Sequence, residues 1–153
     1  MSTPTFTPMF THLAHVSIAV PDLQAAIDML ASRYGLAAGE VMENPQQQVR
    51  MTYIELANAR IELMAPTGPA SPIAAFLARN PRGGIHHFSL GTDDVGATAT
   101  GLKAGGVQVL GDPSTQRNVH DDPIAFIHPK EFLGALVEME PAQGGTHDRG
   151  THD

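Results

Sequence analysis

The chain has no cysteine among its 153 residues. Disulfides, thiolate metal sites and cysteine nucleophiles are therefore excluded, and the absence fits a reducing compartment. Basic residues are scarce, 9 against 16 acidic, for a net charge of −7. A nucleic-acid or anionic-membrane surface needs a basic patch, so neither is expected as a partner. A local group of a few basic side chains could still hold one anionic ligand. No apolar run approaches the length of a membrane span. Met1 to Pro8 carries neither a basic n-region nor an Arg-rich amphipathic pattern. No signal or transit peptide is read there, and the expected location is the cytoplasm. What is left is a globular composition, 42% hydrophobic and 16% charged, long enough for one domain with a real core.

What the chain does have is an internal repeat. His15-Val16-Ser17-Ile18-Ala19-Val20-Pro21-Asp22-Leu23 aligns without a gap on His87-Phe88-Ser89-Leu90-Gly91-Thr92-Asp93-Asp94-Val95, at a constant offset of 72. A repeat close to half the chain length implies two related modules. In each copy a His, and a Ser two residues later, precede an Asp at the mouth of a helix.

Hydrophobic period and breakers give the order of elements. His12 to Val20 alternates, with His15, Ser17 and Ala19 on one face. That face is expected to look onto something open, while Val16, Ile18 and Val20 pack under a helix. Asp22 is a suitable N-cap; Leu23, Ala26, Ile27, Leu30 and Tyr34 then fall at helical spacing, and Gly35 stops the helix. Strands are expected over Gly39 to Met42, Val49 to Leu56 and Arg60 to Ala65, with a loop at 43–48 and a tight turn at 57–59. Ser71-Pro72 opens a short helix over Ile73 to Asn80. Module two repeats the pattern: strand Ile85 to Thr92, helix Val95 to Lys103, then strands Val107 to Leu110, Pro123 to His128 and Gly134 to Glu140. The expected organisation is an α+β fold of two tandem βαβββ modules. Module one covers 12–66 and module two 84–141, joined by a connector at 67–83. A flexible N-terminus, 1–11, and a disordered polar tail, 142–153, flank them.

Each module ends in a matching strand, Ile61-Glu62-Leu63-Met64 and Val137-Glu138-Met139-Glu140. Each therefore carries a strand His near its start and a strand Glu near its end. A carboxylate among apolar neighbours is costly unless paired or metal-bound. His15, Glu62, His87 and Glu138 make a plausible divalent-cation site. Imidazole and carboxylate without thiolate favour Mn, Fe, Co, Ni or Zn. Four ligands leave two octahedral positions for water or substrate. By pleat alternation His86 points away from His87 and reads as a structural residue.

Paired modules with this ligand pattern resemble the vicinal oxygen chelate superfamily, which includes glyoxalase I and extradiol dioxygenases. Within it the chain is similar to the methylmalonyl-CoA epimerase branch. That resemblance rests on the first strand, Ile61 to Pro66, Ser71-Pro72-Ile73-Ala74, Gly83-Gly84-Ile85-His86-His87, Phe126-Ile127-His128-Pro129-Lys130 and Gly134 to Glu138. It implies a curved, cup-like mixed sheet with helices outside, and a homodimer. The implied ligands are His15, His87 and Glu138; Glu62 stands where members have Gln or Glu. The implied cofactor is a divalent cation, with Co or Mn favoured over Ni, Zn or Fe.

The implied substrate is an acyl-CoA. The implied reaction interconverts (R)- and (S)-methylmalonyl-CoA by α-proton abstraction through a metal-stabilised enolate. Glu138 doubles as ligand and base. For the opposite face the candidates are Glu62 and His120, because Met51 occupies the position where some bacterial members carry a catalytic Glu. Tyr53 shares the pleat parity of Met51 but has a high ordinary pKa. Lys130 and Arg50 could neutralise the substrate carboxylate or the CoA phosphates. The alternatives are a glyoxalase I-like lyase, an Fe(II) dioxygenase, or a non-enzymatic protein that holds a small ligand.

Overall fold

The computed structural model describes residues 8–142. Most of the expected loose N-terminus and all but Ala142 of the expected tail lie outside the described residues. Eleven helices and strands run in the order β1 (His12–Ala19), α1 (Leu23–Tyr34), β2 (Met42–Asn44), β3 (Val49–Glu55), β4 (Arg60–Pro66), α2 (Pro72–Arg79), β5 (Gly84–Thr92), α3 (Val95–Ala104), β6 (Val109–Leu110), β7 (Ala125–Ile127) and β8 (Val137–Pro141), with a 3-10 turn at Pro129–Glu131 before the last strand. No helix among the described residues is long and apolar enough to cross a membrane.

The eight strands form one open, curved sheet in the order β2-β3-β4-β1-β5-β8-β7-β6. The order shows the internal symmetry. Strands β1 and β5 pair antiparallel at the centre. Each then takes the last strand of its own module as a parallel outer neighbour, β4 for β1 and β8 for β5. The expected α+β fold of paired βαβββ units is therefore present.

Local chemistry explains the helix limits. The Asp22 and Asp94 carboxylates accept hydrogen bonds from the backbone N–H groups of Ala25 and Ala97, each at 3.0 Å, so equivalent Asp residues open α1 and α3. Gly35 closes α1 in the left-handed conformation, φ 66°. Ser71 caps α2, with Pro72 in its first turn. Leu23, Ile54, Leu63 and Ala65 form a core under α1, flanked by Ile18, Val20, Ala26, Ile27 and Leu30. Val95, Ala99, Ala125, Ile127, Val137 and Met139 form its counterpart under α3.

Several expectations are corrected. Tyr34 follows the helical period but is 64% exposed, at the last position before the Gly35 cap. The second strand is Met42–Asn44, not Gly39 to Met42. It is the short arm of a hairpin whose register pairs Met42 with Met51 and Asn44 with Val49, so the loop shrinks to a turn at 45–48. The later strands of module two are also shorter than expected. His15, Ser17 and Ala19 are turned to the concave side of the sheet, where all three are buried.

Gly83, at φ 88°, makes the turn into β5, where a Cβ would collide with the Ala19 carbonyl oxygen. Only glycine accepts both conditions without strain.

Candidate metal centre and active site

The site grows out of the central strand pair. His15 lies opposite Ser89 and Ser17 opposite His87. On the parallel flanks Glu62 lies beside Ser17 and Glu138 beside Ser89. The two His, two Ser and two Glu thus share the concave face, and all are buried.

The antiparallel ladder slips twice, between Leu13 and His15 and between Ser17 and Ile18. The extra residues are Ala14 on β1 and His86 on β5. They are related by the same offset of 72 that relates the two copies of the repeat. Each bulged residue immediately precedes a site histidine. A bulge re-aims side chains and breaks strict alternation. That is why His86 is not on the far face, as alternation predicts. It lines the same cavity as His87, with its Nδ1 2.8 Å from His87 Nδ1 and its ring edge-on to Phe76 at 5.2 Å.

His15 Nδ1 is 2.8 Å from a Glu140 oxygen. Its Nε2 lies 3.7 Å from Glu138 Oε1 and 3.9 Å from Glu62 Oε1, and is buried without a hydrogen-bond partner. His87 Nε2 lies 2.9 Å from Ser17 Oγ and 3.4 Å from Glu138 Oε2. Ser17 donates its hydroxyl to Glu62 Oε1 at 2.7 Å. Ser89 donates toward Glu140 at 2.6 Å, with Glu138 at 3.3 Å. Glu140 was not among the residues expected from sequence. Its signal was available, since it stands two residues from Glu138 on the same pleat face.

The electrostatics follow from burial and from this crowding of charge. For His15 burial opposes the charged ring, but the Glu140 hydrogen bond and the nearby Glu62 and Glu138 charges outweigh it and raise the pKa to about 9. Burial pushes Glu138 up to about 7, against the pull of His15. Burial also keeps His87 neutral, down to about 4, despite the Glu62 charge. Glu140 is desolvated as well, yet its hydrogen bond to His15 holds it below the usual carboxylate range. Burial and the Glu62 and Glu138 charges drive the Tyr53 phenol far above its ordinary value.

These residues fit a divalent cation. One donor atom each from His15, His87 and Glu138 lies within 4.8 Å of the others, and the buried, unpartnered Nε2 of His15 faces that point. Nitrogen and oxygen donors without sulfur suit the first-row divalent ions. Glu62 borders the triad through His15 but lies outside this tightest grouping.

A cavity of about 610 Å³ opens over the site. Glu62, His87 and Glu138 lie in its wall, with Met51, Tyr53 and Ile73 on the module-one side. Tyr53 pairs with Glu62 across β3 and β4. The His120 ring stacks on Tyr53 at 5.9 Å and 20°. Of the expected acid–base groups, His120 thus reaches the site through Tyr53. Three hydrogen bonds between the modules bridge the mouth: Gln46 donates to the Thr115 carbonyl at 3.2 Å and accepts from the Arg117 N–H at 3.4 Å, and Asn44 donates to the Arg117 carbonyl at 3.3 Å. Arg50 is exposed and paired with Glu43 at 2.9 Å, and Lys130 is exposed.

The chain matches the family model of the Glyoxalase/Bleomycin resistance protein/Dioxygenase superfamily over residues 14–126, and it belongs to that superfamily. Several of the relatives it matches are named epimerases. It is 43% identical over 132 residues to the ethylmalonyl-CoA/methylmalonyl-CoA epimerase of Cereibacter sphaeroides, covering 86% of this chain and 98% of that protein. It is 37% identical over 130 residues to the human mitochondrial methylmalonyl-CoA epimerase, covering 85% of this chain and 73% of the relative. Among solved structures, the Mycobacterium tuberculosis methylmalonyl-CoA epimerase superposes with a TM-score of 0.81 at 31% identity, covering 90% of this chain and 92% of that one. A methylmalonyl-CoA epimerase in complex with methylmalonyl-CoA and NH4+ gives 0.79 at 31% identity, covering 88% and 96%. The resemblance read from the sequence holds.

Proposed function

We propose that this chain epimerises methylmalonyl-CoA at its α-carbon. One observation supports the reading above the rest. Two buried carboxylates, Glu62 and Glu138, stand at symmetric positions on either side of paired histidines in one cavity. Epimerisation removes a proton from one face of a carbon and returns one to the other, so it needs acid–base groups on both sides.

His15, His87 and Glu138 would hold a divalent cation, with Glu62 as fourth ligand and Co or Mn favoured. Bound there, such a cation supplies Lewis-acid stabilisation of the negative charge that proton loss places on the thioester oxygen. The remaining work belongs to the side chains. Glu138 exchanges the proton on one face. Glu62 serves the other face, oriented by the hydroxyl of Ser17, with Tyr53 its neighbour across the sheet. His120, stacked on Tyr53, is the further acid–base group of that side. Met51 and Ile73 give this side an apolar wall that excludes water from the carbanionic centre.

One stereoisomer of methylmalonyl-CoA, incubated in heavy water with the Co- or Mn-loaded protein, is expected to gain α-deuterium and lose stereochemical purity. No exchange with fully loaded protein rejects the reading. The same assay with ethylmalonyl-CoA tests a wider substrate range, which the name of the Cereibacter sphaeroides relative favours. The superfamily resemblance carries the further expectation of a homodimer, which light scattering checks.

A further inference from the structure

The two site histidines are held by different kinds of partner. His15 Nδ1 meets the Glu140 carboxylate at 2.8 Å. An ionised carboxylate only accepts, so Nδ1 of His15 carries hydrogen in every state and Nε2 is turned toward the site. His87 Nδ1 meets another imidazole, His86 Nδ1, also at 2.8 Å. A neutral imidazole both donates and accepts, according to tautomer. One of the two Nδ1 atoms must therefore donate to the other.

The other end of His87 says which one donates. Ser17 has a single hydroxyl hydrogen and gives it to Glu62 at 2.7 Å. The 2.9 Å contact between Ser17 Oγ and His87 Nε2 then requires hydrogen on Nε2. His87 Nδ1 is bare in this arrangement, and His86 donates to it. A cation held by His87 Nε2 needs the opposite tautomer, with hydrogen on Nδ1.

We propose that His86 is a positioning residue for His87, a neutral partner that reverses its hydrogen bond when a cation is bound. Hydrogen moves from Nε2 to Nδ1 on His87, and from Nδ1 to Nε2 on His86. The proton count of the pair is unchanged. A carboxylate at this position could hold only one of the two tautomers. The bulge in β5 makes the contact possible, because it brings two successive histidines to one cavity, and Phe76 fixes the His86 ring edge-on. This inference rests on the metal-centre reading above.

The test uses the full chain, Zn(II) as probe, and ¹⁵N shifts of the histidine side chains. In wild type, His87 is expected to change from the Nε2–H to the Nδ1–H tautomer on Zn(II) loading, with His86 changing the opposite way. Partners of this kind are worth about 10- to 100-fold in metal affinity, so His86→Phe is expected to weaken Zn(II) binding by about that factor. His86→Gln, whose amide donates or accepts by rotating, is expected to recover most of the loss. A merely structural role would change thermal unfolding without moving the tautomer pattern. Zn(II) affinity of His86→Phe within about twofold of wild type, or one His87 tautomer in both states, overturns the proposal. Wild-type protein that binds no Zn(II) overturns the metal-centre reading instead, and this inference with it.

Discussion

His15 and Glu140 are joined at 2.8 Å through Nδ1, and that contact sends the opposite ring nitrogen, Nε2, to a buried point 3.7 Å from Glu138 where nothing hydrogen-bonds to it. The same pairing favours protonation, because a ring that donates to a carboxylate is stabilised as imidazolium. Proton and cation therefore compete for Nε2.

Metal loading should release protons. His15 has its pKa raised to about 9 and Glu138 to about 7, so at neutral pH the metal-free site holds the His15 proton and part of a Glu138 proton. Both must leave before nitrogen and oxygen can ligate. Calorimetric titration with Co(II) in buffers of different ionisation enthalpy should report about one to two protons released near pH 7. Apparent affinity should fall steeply as pH is lowered. A pH-independent affinity contradicts this coupling.

The two carboxylates can be separated by stereochemistry. On the proposed mechanism Glu138→Gln removes a ligand oxygen's charge and a base together, and should lower turnover by at least about 100-fold. Glu62→Gln keeps a hydrogen-bond acceptor for Ser17 but loses the proposed base of one face. In heavy water it should still exchange the α-proton of one stereoisomer with retention, while inversion is lost. Equal inversion by wild type and Glu62→Gln assigns the second face to another group, with His120 next in line.

Much of this site was legible because the repeat doubled every signal. One strand histidine says little, but His15 and His87 at matched positions, each with a later Glu, single out four residues that the fold does bring together. The helix caps were legible for a similar reason: Asp22, Ser71 and Asp94 stand where a free N–H needs an acceptor. His86 was misjudged because a bulge depends on pairing with a partner strand, and alternation within one strand carries no trace of it. The position of β2 failed likewise, since hairpin register with β3 decided it against the local pattern at Gly39. The burial of Ser17 and Ser89 follows from sheet curvature, a property of the whole sheet.

Stability without metal should peak near pH 6.5. His86 and His87 have pKa values depressed from 6.5 to about 4. The unfolded chain then takes up protons first, and stability is lost as pH falls from about 6.5 toward 4. His15 is raised from 6.5 to about 9, so its contribution is full below 6.5 and is lost as pH rises toward 9. Glu138, raised from 4.5 to about 7, also favours the folded state at lower pH. It offsets only part of the two-histidine loss on the acid side and adds to the decline up to pH 7. Thermal unfolding of chelator-treated protein between pH 4.5 and 9 should show the maximum. A curve that keeps rising to pH 9 contradicts the His15 assignment.

Gly83 offers a test that links backbone to site. Its φ of 88° and its closeness to the Ala19 carbonyl leave no room for a side chain. Gly83→Ala must either adopt a costly left-handed conformation against a carbonyl or shift the start of β5. The first route costs about 1–3 kcal/mol, read as a lower denaturant midpoint at unchanged slope. The second displaces the bulge at His86, three residues on, and through it the His87 ring. Loss of stability is expected on either route. A parallel loss of Zn(II) affinity identifies the second, because strain confined to the turn leaves the His86–His87 contact intact. Unchanged stability would contradict the close approach of Gly83 to β1.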